Sequence, residues 1–167
     1  MQLGSRIHRK IQRQMGSNYN AEVSLKVEVP CDGFVLRVEG RADGIFYEEE
    51  TVYMDEIKGV MRSLERMEKP VGVHLAQAKC YAYIYGKQQE LESIGVQMTY
   101  CQMETEEVKR FQEIFTVEEL ETWFLGIVKQ YEKWAKFELE WKKERNESIK
   151  NVVFPYEYRD GQKELVT

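Results

Sequence analysis

Three β-rich runs follow one another between residues 21 and 60, separated only by turn-forming residues, and this constrains the fold more than any other feature of the chain. From Ala21 to Val29 the pattern alternates strictly: Ala21, Val23, Leu25, Val27 and Val29 face one way, Glu22, Ser24, Lys26 and Glu28 the other. Such a period of two marks a half-buried strand. Pro30-Cys31-Asp32-Gly33 then reads as a turn, because Asp-Gly tolerates a positive φ. Phe34–Tyr47 and Thr51–Val60 follow as two further strands about an acidic tip near Glu49. Consecutive strands joined by tight turns pair as an antiparallel meander.

The second and third runs carry the chemistry. Arg37, Glu39, Arg41 and Asp43 share one face of their strand; Val52, Met54, Glu56 and Lys58 share one face of theirs. If the strands pair about Glu49, Asp43 and Glu56 come side by side, with Lys58 next to them. Two carboxylates are oxygen donors fit for Mg²⁺ or Mn²⁺, and an adjacent ammonium can stabilise charge building on phosphorus. The layout suits metal-assisted phosphodiester hydrolysis. Asp55 is adjacent to Glu56, but strand parity points it away. The plainer alternatives are a strand-end aspartate before a glycine turn, a cross-strand ion pair at Glu56, and a surface lysine.

Around these strands lie helical patterns. Gly4–Met15 repeats Ile7, Ile11 and Met15 at four-residue intervals. Met61–Pro70 is charged and irregular, as a flexible loop near the site would be. Residues 71 to about 91 form a second helix, with His74, Gln77 and Tyr81 on one face and Leu75, Ala78 and Ala82 on another. Gly95–Met103 and Glu107–Phe115 read as a fourth and a fifth strand, and strand–helix–strand implies a parallel, right-handed crossover. Thr116 and Glu119 form a capping box opening the longest helix. Its stripe is Val117, Leu120, Phe124, Ile127, Tyr131 and Trp134, and it runs to about Asn146, roughly 45 Å at 1.5 Å per residue. Its last stretch is almost wholly charged and is expected to project beyond the core. The expected fold class is α/β: a mixed sheet with an α-β-β-β-α-β core and a long C-terminal amphipathic helix. Residues 1–150 form one domain, and 151–167, aromatic and proline-bearing, read as a linker or the start of another.

Charge and cysteine usage narrow the setting. A net charge of −5 disfavours indiscriminate nucleic-acid binding, yet Arg6, Arg9, Lys10 and Arg13 cluster in the first helix and Lys142, Lys143 and Arg145 near the end of the last. The first cluster could rim an acidic metal site; the second reads as well as a solvated helix surface. Three widely spaced cysteines without a CxxC pair suggest neither a zinc site nor a disulfide framework, so a cytoplasmic protein is expected. No apolar run is long enough to span a bilayer.

Taken in order, these residues resemble the PD-(D/E)xK nuclease superfamily, and within it the RecB- and Cas4-like exonuclease branch. Gly4-Ser5-Arg6-Ile7-His8 is similar to its glycine–histidine motif, Gly40-Arg41-Ala42-Asp43-Gly44 to its metal-aspartate motif, Glu56-Ile57-Lys58 to the core of its signature, and Gln77-Ala78-Lys79-Cys80-Tyr81 to its QxxxY motif. The resemblance covers roughly residues 4–103 and implies a restriction-endonuclease-like fold. It implies that His8 and the Ile57 carbonyl join Asp43 and Glu56 around Mg²⁺ or Mn²⁺. It also implies that Gln77 and Tyr81 hold the DNA backbone or Lys58. Apart from the resemblance, His8 would read as a surface or capping residue and Tyr81 as a core aromatic. Arg41 and Arg62 could contact phosphate or form ion pairs. The implied activity is a metal-dependent DNA exonuclease on single-stranded or unwound ends; a non-catalytic DNA-binding or scaffolding module on the same fold is the alternative. The cysteines that hold an iron–sulfur cluster in Cas4 nucleases have no counterparts here, so no cluster is expected. The chain starts at the histidine motif, as a shortened piece of a longer protein would. Phe154-Pro155-Tyr156 to Arg159-Asp160-Gly161-Gln162 resembles the opening of XPD/DinG-type helicases, implying a helicase–nuclease.

Overall fold

The alternating runs become β1 (Tyr19–Cys31), β2 (Phe34–Glu48) and β3 (Thr51–Val60) in the computed structural model, which describes residues 3–153, 156–157 and 159–162. They pair antiparallel in sequence order. The turn after β1 is tighter than the sequence suggests. Pro30 still pairs with Val35 and Cys31 with Phe34, leaving Asp32 and Gly33 as the loop, with Gly33 in the left-handed region at φ 84°. Pro30 is tolerated inside a strand because β1 is an edge. Glu49 and Glu50 connect β2 to β3, and Glu49 takes φ 52°.

The remaining elements of the unit Met1–Ile127 are α1 (Leu3–Gln14), α2 (Gly72–Gln88), β4 (Ser93–Gln102), β5 (Val108–Thr116) and the start of α3 (Val117–Ile149). The sheet order is β1-β2-β3-β4-β5. β3 and β4 are parallel, joined through α2, and β4 and β5 are antiparallel. The fold is therefore mixed α/β, with the α-β-β-β-α-β core the sequence implies and a long helix at the end.

Two helices cover opposite faces of the sheet. Ile57 packs with Ile7 and Ile11 of α1 and with Cys101. Its neighbour Lys58 points to the other side, where it meets Gln77 of α2. Ala78 and Ala82 are fully buried, and their small side chains let α2 lie close to the sheet. Glycine makes room for aromatic rings on the α1 side. A Cβ at Gly44 would lie 2.0 Å from the Tyr19 ring, and one at Gly95 2.2 Å from Tyr53. The Tyr19, Phe46 and Tyr53 rings stack in series at centroid spacings of 6.2 and 5.2 Å.

The expected flexible loop after β3 is anchored: Leu64 and Met67 are buried, and the Met67 N–H donates to the Leu64 carbonyl at 3.1 Å. α3 opens on the capping box, with Thr116 Oγ1 accepting from the Glu119 N–H at 3.2 Å and Glu119 Oε2 accepting from the Thr116 N–H at 3.0 Å. Leu120 and Phe124 are buried, and a Cβ at Gly86 would stand 2.7 Å from Val117. The apolar stripe read along this helix is used only in part: Ile127, Tyr131 and Trp134 are exposed.

The second unit, Val128–Thr167, contains the rest of α3, ending at Ile149. Beyond it Arg159–Gln162 forms a turn in which the Arg159 N–H donates to Gln162 Oε1 at 2.9 Å and Gly161 has φ 82°. Phe154, Pro155 and Tyr158 of the helicase-like motif lie outside the described residues. Among the described residues, no helix is long and apolar enough to cross a membrane.

Candidate active site

The ladder between β2 and β3 runs from Glu48–Thr51 to Gly44–Asp55 and stops. The next pair would be Asp43 with Glu56. There the strands part: β2 continues against β1, and β3 against β4. The backbone groups freed by the split find side chains instead. The Ile57 N–H donates to Asp43 Oδ2 at 2.7 Å, and Gln12 Nε2 of α1 donates to the Asp43 carbonyl at 2.9 Å. A short carboxylate that can capture a backbone N–H competes with the ladder in this way. Opposite Asp43 on β1, Glu22 takes φ 58°, a left-handed conformation uncommon for a residue bearing a Cβ.

This irregularity interrupts the alternation of β2. Gly44 lies under Tyr19, whose hydroxyl donates at 3.0 Å to Asp55 on the face covered by α1. Strict alternation would put Gly40 on that face too. Instead a Cβ at Gly40 would meet Tyr81 of α2 at 2.5 Å. Asp43, on the opposite side of its strand from Gly40, therefore reaches toward α1. Glu56 belongs to the face of α2. The two carboxylates approach the gap from opposite sides of the sheet.

Each is held there. His8 Nδ1 lies 2.9 Å from Asp43 Oδ1. That hydrogen bond is the main reason the His8 pKa is raised; burial opposes it, and the charges of Asp43 and Glu56 add to it. Glu56 is only 2% exposed. Burial first, then the Asp43 charge, pushes its carboxyl up to about 7, while Lys58 and His8 pull it back. Lys58 Nζ sits 2.7 Å from Glu56 Oε1 and donates to Gln77 Oε1 at 3.0 Å. Gln77 Nε2 in turn donates to Tyr81 Oη at 3.4 Å. A relay thus runs from Tyr81, fitted over Gly40, through Gln77 to Lys58 and Glu56.

His8, Asp43, Glu56, Lys58, Gln77 and Tyr81 are all brought to the split. Ile57 enters through its N–H. Arg41 does not turn inward: its Nε pairs with Glu22 Oε2 at 2.7 Å on the exposed surface. His74 lies 3.2 Å from Tyr100 Oη, and burial, followed by the charges of Lys58 and Arg62, lowers its pKa. Asp55 faces away from the gap into a buried network, accepting from Tyr19, from Thr99 Oγ1 at 2.7 Å and from Gln97 Nε2 at 3.1 Å. Gln12 was missed by the sequence reading; its four-residue spacing from His8 on one helix face was the available signal.

Among the described residues no three His, Cys, Asp or Glu side chains are gathered tightly enough to enclose a metal ion. Asp43 commits both oxygens to His8 and Ile57, and Glu56 commits one to Lys58. Glu56 Oε2, however, is buried without any hydrogen-bond partner. Leaving a buried carboxylate oxygen unpaired is costly. Asp43 and His8 are near enough to act on the Glu56 charge, and carboxylate oxygens and imidazole nitrogens are the donor types that divalent cations take.

No protein-family model matches the chain, and no curated protein matches it in sequence. Among solved structures it is similar to one described as the crystal structure of SSO0001, at 19% identity and a TM-score of 0.46; the match covers 65% of this chain and 48% of that one. The chain thus spans about half the length of that structure.

Proposed function

We propose that this chain is a metal-dependent deoxyribonuclease module of the PD-(D/E)xK superfamily, RecB/Cas4-like branch, acting exonucleolytically on single-stranded or unwound DNA ends in the cytoplasm. The observation that carries the reading is the orphaned Glu56 oxygen, buried at the strand split beside Asp43 and an anchored Lys58. Asp43, Glu56, His8 and the Ile57 carbonyl would hold Mg²⁺ or Mn²⁺. A divalent cation supplies polarisation of the phosphodiester and a water of lowered pKa.

The protein's own groups do the rest. His8 and the Ile57 N–H fix the Asp43 carboxylate from two directions. Gln77 and Tyr81 hold the Lys58 ammonium at the site, where it stabilises negative charge developing on the phosphoryl oxygens. Fixing these groups before substrate arrives removes reorganisation from the chemical step. The turn at Arg159–Gln162 belongs, in the same reading, to the start of a helicase motor that would feed unwound strand to the site.

Labelled single-stranded DNA incubated with Mn²⁺, against an EDTA control, tests this. Cleavage should appear with Mn²⁺ and vanish in Asp43→Ala and Lys58→Ala variants that still melt cooperatively. Cleavage retained by either variant overturns the assignment. The engagement of Asp43 by His8 and of Glu56 by Lys58 favours a second reading, a non-cutting DNA-binding module. It requires DNA retention with no Mn²⁺-dependent product.

A further inference from the structure

The outward face of α1 carries Arg6, Arg9, Lys10 and Arg13, which with Gln14 line a shallow groove of about 470 Å³. The inward face is fully committed: Ile7 and Ile11 are buried, and His8 and Gln12 grip Asp43. The basic face is thus fixed in position relative to the strand split.

Helix stability does not explain these cations. Arg6 and Lys10 are four residues apart, as are Arg9 and Arg13, and like charges at that spacing repel. Arg6 also lies toward the positive end of the helix dipole. No acidic residue offsets them within α1. Glu106 of the β4–β5 turn pairs with Lys10 and lies near Arg6. In a chain of net charge −5 such a face runs against the composition.

We infer that the outer face of α1 is a binding track for the phosphodiester backbone of a single nucleic-acid strand. The inference rests on the nuclease reading for its substrate class, and the track itself rests on charge and geometry. Arg6 and Arg13 are seven residues apart, about 10 Å along the helix axis, which matches about three phosphate-to-phosphate steps at the ~3.4 Å rise of a stacked strand. A row of cations of that length suits a polyanion rather than a lone phosphate. Because α1 also delivers His8, a strand on this track is held by the helix that fixes Asp43.

The test is fluorescence anisotropy of a labelled oligothymidylate with the full chain in EDTA, so that binding is read without cleavage. Wild type should bind with an affinity that falls steeply with salt. Arg6→Gln with Arg13→Gln should bind about 25-fold more weakly at 0.1 M salt, with a slope in log–log form smaller by about 1.4, from two contacts at ~0.7 each. Glutamine keeps helix propensity and adds no charge, and a matching melting curve confirms folding. The control, Lys142→Gln with Lys143→Gln on α3, removes equal charge and should change affinity less than twofold. Absent wild-type binding, an unchanged Arg6/Arg13 variant, or equal loss in the control overturns the track. So does equal or stronger retention of wild type by phosphatidylglycerol vesicles. Loss of the track with Mn²⁺-dependent cleavage intact would leave the nuclease reading standing; binding as expected without cleavage would sink that reading alone.

Discussion

Glu56→Gln should make the protein more stable while removing its activity. Glu56 is buried, one of its oxygens has no partner, and its carboxyl is pushed up to about 7 from an ordinary 4.5. Folded protein therefore holds this proton more tightly than unfolded protein does, and stability falls as pH rises through that window. Linkage sets the cost of the charged form at about 3 kcal/mol above pH 8 and under about 1 kcal/mol at pH 5. Glutamine mimics the protonated side chain in size and charge, so it removes the cost. The melting temperature of the variant should exceed wild type by roughly 6–12 °C at pH 8. The gap should narrow to a few degrees at pH 5. Thermal denaturation followed by circular dichroism at both pH values, in EDTA, reads this directly. Repeating it with Mn²⁺ should raise the wild-type midpoint by mass action and leave the variant unmoved. A variant no more stable than wild type at pH 8, or a gap independent of pH, would refute the reasoning.

Asp55→Asn should behave in the opposite way although burial raises that group too. Three donors aim at its two oxygens, and an amide would turn its own donors toward them, costing about 1–3 kcal/mol in denaturant melts. Gln77→Leu should leave the fold intact and slow cleavage by about tenfold, the worth of one hydrogen bond that positions Lys58; an unchanged rate would detach Gln77 from the site. Gly40→Ala sets a methyl group against the Tyr81 hydroxyl and should cost about 1–3 kcal/mol. Combined with Tyr81→Leu the loss should be less than additive, and strict additivity would mean the two do not touch.

Much of the architecture was legible because it is written locally. Alternation between Ala21 and Val29, Asp-Gly at the first hairpin, the capping box at Thr116 and the spacing of Ile7 and Ile11 each involve residues a few positions apart. Glu56 and Lys58 were readable as a pair for the same reason, since a strand puts residues two apart on one face. The flexible loop after β3 was misjudged because Leu64 and Met67, its buried anchors, sit among charges that hide them. Beyond Phe124 the α3 stripe was assigned to the wrong positions: Val128 and Ala135 are buried where Ile127, Tyr131 and Trp134 were expected, because large apolar residues on neighbouring faces offered a second periodic reading. Arg41 could have turned either way, and Glu22, nineteen positions earlier, decided it.

From the chain alone came the order of elements, the antiparallel meander, the parallel crossover and the pairing of an acid with a base on the third strand. Tertiary structure alone decided where the second and third strands part, that Asp43 and Glu56 enter the gap from opposite faces, and that one carboxylate oxygen stays without a partner. The reason is range. Gln12 to the Asp43 carbonyl and His8 to its carboxylate span 31 and 35 residues. No local pattern can encode a bond between segments that meet only after the sheet has formed.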